Sequence, residues 1–201
     1  MKGPEDVLFS PAVKAEQIRL GSRAAFEGRD WKSEITEDLR QFLTAIDTFF
    51  FATASADGRP YVQHRGGPAG FLKPIGSHML AFADFAGNRQ YISLGHLREN
   101  DRAHIFVPHF ATQQRLKLWG RARAVEGDLE LMERLVDPAY KARPERAIIF
   151  TIEAWDINCR QHIVQRYSEA EIAPAIDQLT QRIKELESEV GRLKSSSGAR
   201  S

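Results

Sequence analysis

Cysteine is almost absent from this sequence: Cys159 is the single one in 201 residues. An internal disulfide and a four-thiolate metal site are therefore excluded, and so sparse a use of thiols suits a reducing compartment. Only Arg160 stands beside Cys159 to favour a thiolate, so it reads as a small buried residue and not as a nucleophile. Long apolar runs are also missing. Nowhere do about 18 consecutive apolar residues occur, as a membrane helix requires, and the apolar stretch within Met1 to Phe9 is too short for a signal peptide. The expected location is the cytoplasm. Charge of one sign is not in excess, since 28 Lys and Arg face 27 Asp and Glu for a net +1. That leaves no bulk field of the kind needed to hold many nucleic-acid phosphates.

Several catalytic signatures are missing too. There is no zinc-hydrolase motif, no dinucleotide glycine fingerprint, and no Lys-Ser or Lys-Thr pair after the glycines of Gly66 to Gly70. The six histidines are scattered; His104 and His109 flank Pro108 without the helical spacing that would converge them on a metal. No metal site is expected, and no side chain stands out as a catalytic acid, base or nucleophile. What remains, 42% hydrophobic and 27% charged, is the balance of an ordinary soluble globular chain.

The patterning predicts mainly β structure with peripheral helices. Ser10 before Pro11 starts a helix that Gly21 stops, and Thr36 caps a second whose Leu39, Phe42, Leu43 and Ile46 share one face. Phe49 to Ala54 and Pro60 to Arg65 form a hairpin about Asp57-Gly58; Phe71 to Ile75 and Met79 to Ala83 form another about Gly76-Ser77. A short helix over Gln90 to Arg98, strands over Ala103 to Val107, Arg115 to Val125 and Ala147 to Ala154, and a helix from Asp128 to Val136 complete the list. About seven antiparallel strands favour a small barrel over a doubly wound sheet. Its open strands call for cover by a helix or a partner.

The tail reads as a separate unit. Ile176, Leu179, Ile183, Leu186, Val190 and Leu193 follow a heptad stripe, with branched residues at a and leucine at d, a choice that favours a parallel two-stranded coil. An amphipathic helix lying on its own barrel is the alternative. The segments are then 1–47, an N-terminal helical region; 48–167, the barrel; 168–194, the amphipathic helix; and 195–201, a polar tail expected to be disordered.

The stretch Met79 to Tyr91 runs from a strand through a glycine turn to a helix start bearing Asn88, Arg89 and Gln90. A helix amino end and a guanidinium suit an anion such as a phosphate, with Arg65 and Lys73 on neighbouring strands available to complete a clamp. Simple capping and solvation of a short helix is the plainer account.

Three blocks, Phe82-Ala-Asp-Phe-Ala-Gly-Asn-Arg-Gln-Tyr-Ile-Ser93, Glu99-Asn-Asp-Arg102 and Arg115-Leu-Lys-Leu-Trp-Gly-Arg-Ala-Arg123, resemble in order and spacing the pyridoxamine 5′-phosphate oxidase-like FMN-binding split-barrel family. Trp155 to Arg166 is similar to the closing segment of its uncharacterised branch. The resemblance implies a homodimer with FMN at the interface. It places Arg65 and Lys73 near the phosphate or ribityl chain, Arg89 and Gln90 as the phosphate-loop pair beside the Asn88 of the helix start, and Ala83 and Asp84 on the flavin. Arg115 falls near the ring, and Trp155 and Arg166 come from the other chain. Three departures separate the chain from the true oxidase: the loop Gly66 to Gly70 is longer, Gln90 replaces a lysine, and His162 stands where the oxidase has a substrate-phosphate arginine. From the residues alone, Arg115 reads as a strand-surface arginine paired to a carboxylate and Trp155 as a core residue.

The expected function is an FMN-dependent oxidoreductase acting on a small substrate, with NAD(P)H as a candidate donor, since the flavin would carry the chemistry and the protein would position it. The alternative is a non-catalytic flavin- or haem-binding carrier. Neither nucleic acid nor membrane is an expected partner.

Overall fold

The computed structural model of the chain describes residues 3–158 and 161–198; the reading of Cys159 lies outside them. These residues form two compact units, one of Met1–His109 with Gln113–Gln161, the other of Phe110–Thr112 with His162–Ser201.

The first unit opens with α1 (Pro4–Leu8) and α2 (Pro11–Arg19). Ser10 Oγ accepts from the Val13 amide at 3.3 Å, and Gly21, at φ +75°, takes the left-handed conformation that lets the chain turn away. Thr36 caps α3 (Glu37–Thr44) in the same way through the Leu39 amide. Leu39 and Leu43 are fully buried, so this short helix is held by its apolar face.

That face packs on one antiparallel sheet of seven strands: β1 (Thr48–Ala54), β2 (Pro60–Gly66), β3 (Lys73–Pro74), β4 (Met79–Phe85), β5 (Arg102–His109), β6 (Gln114–Val125) and β7 (Pro144–Asn158). Their spatial order is β2-β1-β5-β6-β7-β4-β3. Alternation along β1 sends Phe49 and Phe51 inward, where both rings meet Phe82 edge-on at 5.1 and 5.8 Å. Helix α4 (Ile92–Glu99) joins β4 to β5, and α5 (Leu129–Leu135), capped by Asp128, joins β6 to β7. A smaller core forms where Leu131 and Leu135 of α5 meet Ala81, Ala83, Ala147 and Ile149. β6 and β7 slip register between Trp119 and Gly120, a bulge of the kind that bends strands in small barrels.

Three boundaries differ from the sequence reading. Extended pairing before β4 shrinks to Lys73–Pro74, because Phe71 and Leu72 are drawn into the core and Pro74 has no amide to give the ladder. α4 starts at Ile92 and not at Gln90, since Arg89 and Tyr91 both take positive φ, which a helix cannot include. The N-terminal residues share their core with the sheet: Trp155 of β7 bridges to Lys32, and its indole N–H donates to the Glu34 carbonyl at 2.8 Å.

In the second unit, Gln165 Nε2 donates to the Ala111 carbonyl at 2.8 Å and Arg166 lies over Phe110. Ser168 and Glu171 form a reciprocal capping box that starts α6 (Glu169–Gly198). Ser195 to Gly198 thus continue the helix and are not a disordered tail, because extending an existing helix is far cheaper than nucleating one. Residues 199–201 lie outside the described part. Among the described residues no helix is long and apolar enough to cross a membrane.

Candidate functional site

Sheet curvature brings together β2, an end strand, and β4, the last but one at the other end of the strand order. Asp84 of β4 is buried, and its Oδ1 accepts from Arg65 Nη1 of β2. Oδ2 accepts from Arg146 Nη1 of β7 at 3.0 Å, a contact fixed by register, since Arg146 stands opposite Asp84 in the β4–β7 ladder. Arg146 also donates through Nε to Glu126 at 3.0 Å and pairs with Glu145 at 3.2 Å. Burial weighs against its charge, but hydrogen bonds to Asp84 and Glu126, with the charges of Asp84 and Glu145, raise it above the ordinary guanidinium value.

Over this triad lies a small cavity, of about 40 Å³, lined by Gln63, Arg65, Asp84, Asn88, Arg89, Tyr91, Ser93 and Arg146 among others. The loop before α4 forms its mouth. Asn88 Oδ1 accepts from the Gln90 amide at 3.2 Å and so closes a local turn; it does not cap the helix. No side chain caps α4, which leaves its first amides open at the positive end of the helix dipole. Ser93, buried at the second position of α4, donates to Gln63 Oε1 at 3.2 Å. Arg89 is exposed and forms no ion pair with any described residue, while Arg65 Nε is buried without a partner. Three guanidiniums therefore face two carboxylates, Asp84 and Glu145, in the lining. One positive charge, an open helix start and an orphaned donor remain for a ligand, a combination that fits a phosphate.

Of the residues expected from sequence, the cavity gathers Arg65, Asp84, Asn88 and Arg89. Gln90 is exposed beside Asn88. Lys73 is elsewhere: its Nζ donates to the Arg134 carbonyl at 2.9 Å, fastening the end of α5. Ala83 is buried in the smaller core opposite Ala147. Trp155 is in the main core of its own chain and lines no part of the cavity. Arg115 donates weakly to the Gln161 carbonyl at 3.5 Å, and its Nε is buried without a partner. His162, at φ +62°, and Arg166 belong to the second unit. The sequence reading missed Gln63, Tyr91, Ser93, Glu145 and Arg146. Arg146 carried a signal only through its cross-strand position against Asp84, which needs the β4–β7 pairing to be known.

The sheet face opposite the core carries a second charged cluster. Asp156 accepts from Arg29 at 3.2 Å, and Lys117 stands 3.9 Å from it and 5.4 Å over Trp119. Burial lowers the Lys117 pKa against the opposing pull of Asp156, and the Arg115 and Arg29 charges lower it further. Beside it, burial and the Lys117 charge push His104 down to about 4. Among the described residues no group of three or more His, Cys, Asp or Glu is placed to hold a metal.

No curated protein sequence matches the chain significantly. Solved structures do. A variant of HupZ from Group A Streptococcus aligns with 62% of this chain and 99% of its own at 13% identity and a TM-score of 0.50, which establishes the fold. A protein from Clostridium acetobutylicum related to general stress protein 26 covers 67% of this chain and 94% of its own at 15% identity and a TM-score of 0.47. An FMN-binding protein from Syntrophomonas wolfei covers 74% and 95% at 14% identity and a TM-score of 0.45. The sequence itself matches the family model described as pyridoxamine 5′-phosphate oxidase over residues 35–181. That span takes in α3, the whole sheet and the Asp84 triad, and by it the chain belongs to the pyridoxamine 5′-phosphate oxidase family.

Proposed function

We propose that this chain is an FMN-dependent oxidoreductase that acts in the cytoplasm, as a homodimer, on a small substrate other than pyridoxamine phosphate. One observation carries the reading: an open helix start, an unpaired Arg89 and the orphaned Arg65 Nε converge on a cavity whose other charges are already balanced. Arg89 and the first amides of α4 would hold the FMN phosphate, with Asn88 fixing the loop and Asp84 holding Arg65 and Arg146 in place. Arg115 Nε is a second open donor, and the family resemblance sets it near the ring, where positive charge favours the reduced form. A bound flavin would supply the hydride-accepting ring that no side chain here can replace.

A second copy has a face to cover. Phe50 and Val62 are exposed, and Phe106 and Trp119 are half-buried, all on the side of the sheet opposite the core. Phe50 and Phe106 are direct cross-strand partners, and a contiguous apolar patch left open on a sheet face suits cover by a partner.

The ionisable groups lining the cavity are committed to ion pairs, apart from Arg89 and Tyr91, which suits hydride transfer between stacked rings but suits a carrier of flavin or haem equally. Two measurements decide. The absorption spectrum and released-ligand mass of freshly purified protein should show FMN, and anaerobic mixing with NADH or NADPH should bleach it rapidly. A yellow protein that stays yellow is a carrier; a colourless protein that takes up no added FMN removes the reading altogether.

A further inference from the structure

α6 is one continuous helix of 30 residues, and Ile172 lies inside it, extending the apolar stripe by a further layer. Ile172, Ile176, Leu179, Ile183, Leu186, Val190 and Leu193 fall at alternating d and a positions, and all are exposed, from 39% at Ile172 to 65% at Leu179. The sequence span is thereby three heptads, the length at which such a pattern becomes a credible coil. Residues that would spoil a seam sit on the outer positions: Pro174 and Ser188 at f, Gly191 at b. A solvated helix has no reason to keep its large apolar residues on one stripe and its helix-breaking residues off it.

We infer that α6 pairs in parallel and in register with α6 of a second copy of this chain, as a two-stranded coiled coil. From Ile176 to Leu193 every a is Ile or Val and every d is Leu, the packing choice that favours two parallel strands. Charge agrees with it. In parallel register Arg182 at g meets Glu187 at e of the partner helix, and Glu189 meets Lys194, so every charged flank is of opposite sign. Arg182 is held within its own helix only by an exposed contact to Glu185 at 3.1 Å, which is too weak to compete strongly. An antiparallel pairing that keeps the central layers would set Ile183 against Leu186, Arg182 against Glu189 and Glu187 against Thr180. It would keep one kind of charge pair and leave Ile172 with no apolar opposite. The proposal is independent of the flavin reading, because none of these residues lines the cavity.

The test uses the full-length chain carrying Cys159→Ser, so that one engineered thiol is the only one present. With Leu186→Cys at d, mild oxidation should give a covalent dimer at least about tenfold faster than with Ser188→Cys at f, because a parallel seam holds equal d residues at disulfide range and turns f residues outward. Arg182→Glu added to the Leu186→Cys chain should slow the cross-link, and Glu187→Arg added to that should restore it. Equal rates at 186 and 188 would overturn the pairing, whether the stripe lies on its own barrel or on another protein. Faster cross-linking in a mixture of Ile183→Cys and Leu186→Cys chains than in either alone would overturn the parallel sense.

Discussion

Asp84 and Arg146 face each other across the β4–β7 ladder, and the same carboxylate reaches Arg65 on β2, so one side chain ties the end strand β2 to strands four and five places away in the sheet order. Its own exposure is 7%, and that of each arginine 12%, which leaves little water to take over if it is lost. Asp84→Ala would strand the buried Arg65, which has no other carboxylate among the described residues, while Arg146 keeps Glu126 and Glu145, at a cost of about 3–5 kcal/mol. Urea unfolding of the flavin-free protein measures this directly. A loss below about 1 kcal/mol would show that the triad is solvated like a surface pair.

Arg89 behaves oppositely. It is exposed and unpaired in the free protein, so Arg89→Ala should leave unfolding stability within about 0.5 kcal/mol of the parent. A guanidinium that meets a phosphate contributes about 1.5–3 kcal/mol, so FMN affinity should fall roughly 10- to 150-fold. Flavin fluorescence titration of the two proteins reads the difference. Unchanged affinity would move the phosphate away from this loop.

What the sequence made legible was local. Ser10, Thr36 and Asp128 cap the helices assigned to them because a cap needs only its own first turn, and Asp57-Gly58 turns the β1–β2 hairpin with Gly58 at φ +85°. Leu116 and Leu118 alternate with Lys117 along β6 and show its faces for the same reason, whereas β1 is an unbroken apolar run whose inward face appears only in the structure. The site was legible only in part, because its pieces are joined by closure of the sheet. Arg65 and Asp84 were both named, yet nothing near either one says that they meet, or that Arg146 joins them. Lys73 looked like a free cation until the end of α5 supplied a carbonyl for it. The left-handed residues Arg89 and Tyr91, neither of them glycine, hid the true start of α4.

Gly120 sits at the β6 bulge, where an added Cβ would collide with the Thr151 carbonyl and lie 3.0 Å from the Phe150 ring. Backbone cannot retreat as a flexible side chain can, and Phe150 is itself fully buried. Gly120→Ala should therefore destabilise at the upper end of overpacking costs, about 3 kcal/mol or more. Thermal unfolding checks it, against Gly95→Ala on α4 as a control, where a Cβ meets nothing within 4 Å and helix propensity improves.

His104, edge-on to Trp119 at 4.9 Å, makes stability depend on pH in a predictable direction. Burial, with the Lys117 charge behind it, depresses the native ring to about 4 from an ordinary value of 6.5. Above pH 6.5 the ring is neutral in both folded and unfolded chains and contributes no slope. Between 6.5 and 4 the unfolded chain binds a proton that the native chain refuses, so stability falls by about 1.4 kcal/mol per pH unit, to a total of roughly 3 kcal/mol. Below 4 both states are protonated and the loss stays constant. Carboxylates titrate in the same acid range, so the quantity to measure is the difference between the parent and His104→Gln unfolding free energies at pH 7.5, 5.5 and 4. That difference should shift in the variant's favour as pH falls across the window, and a constant difference would mean that the native ring accepts its proton at an ordinary pH.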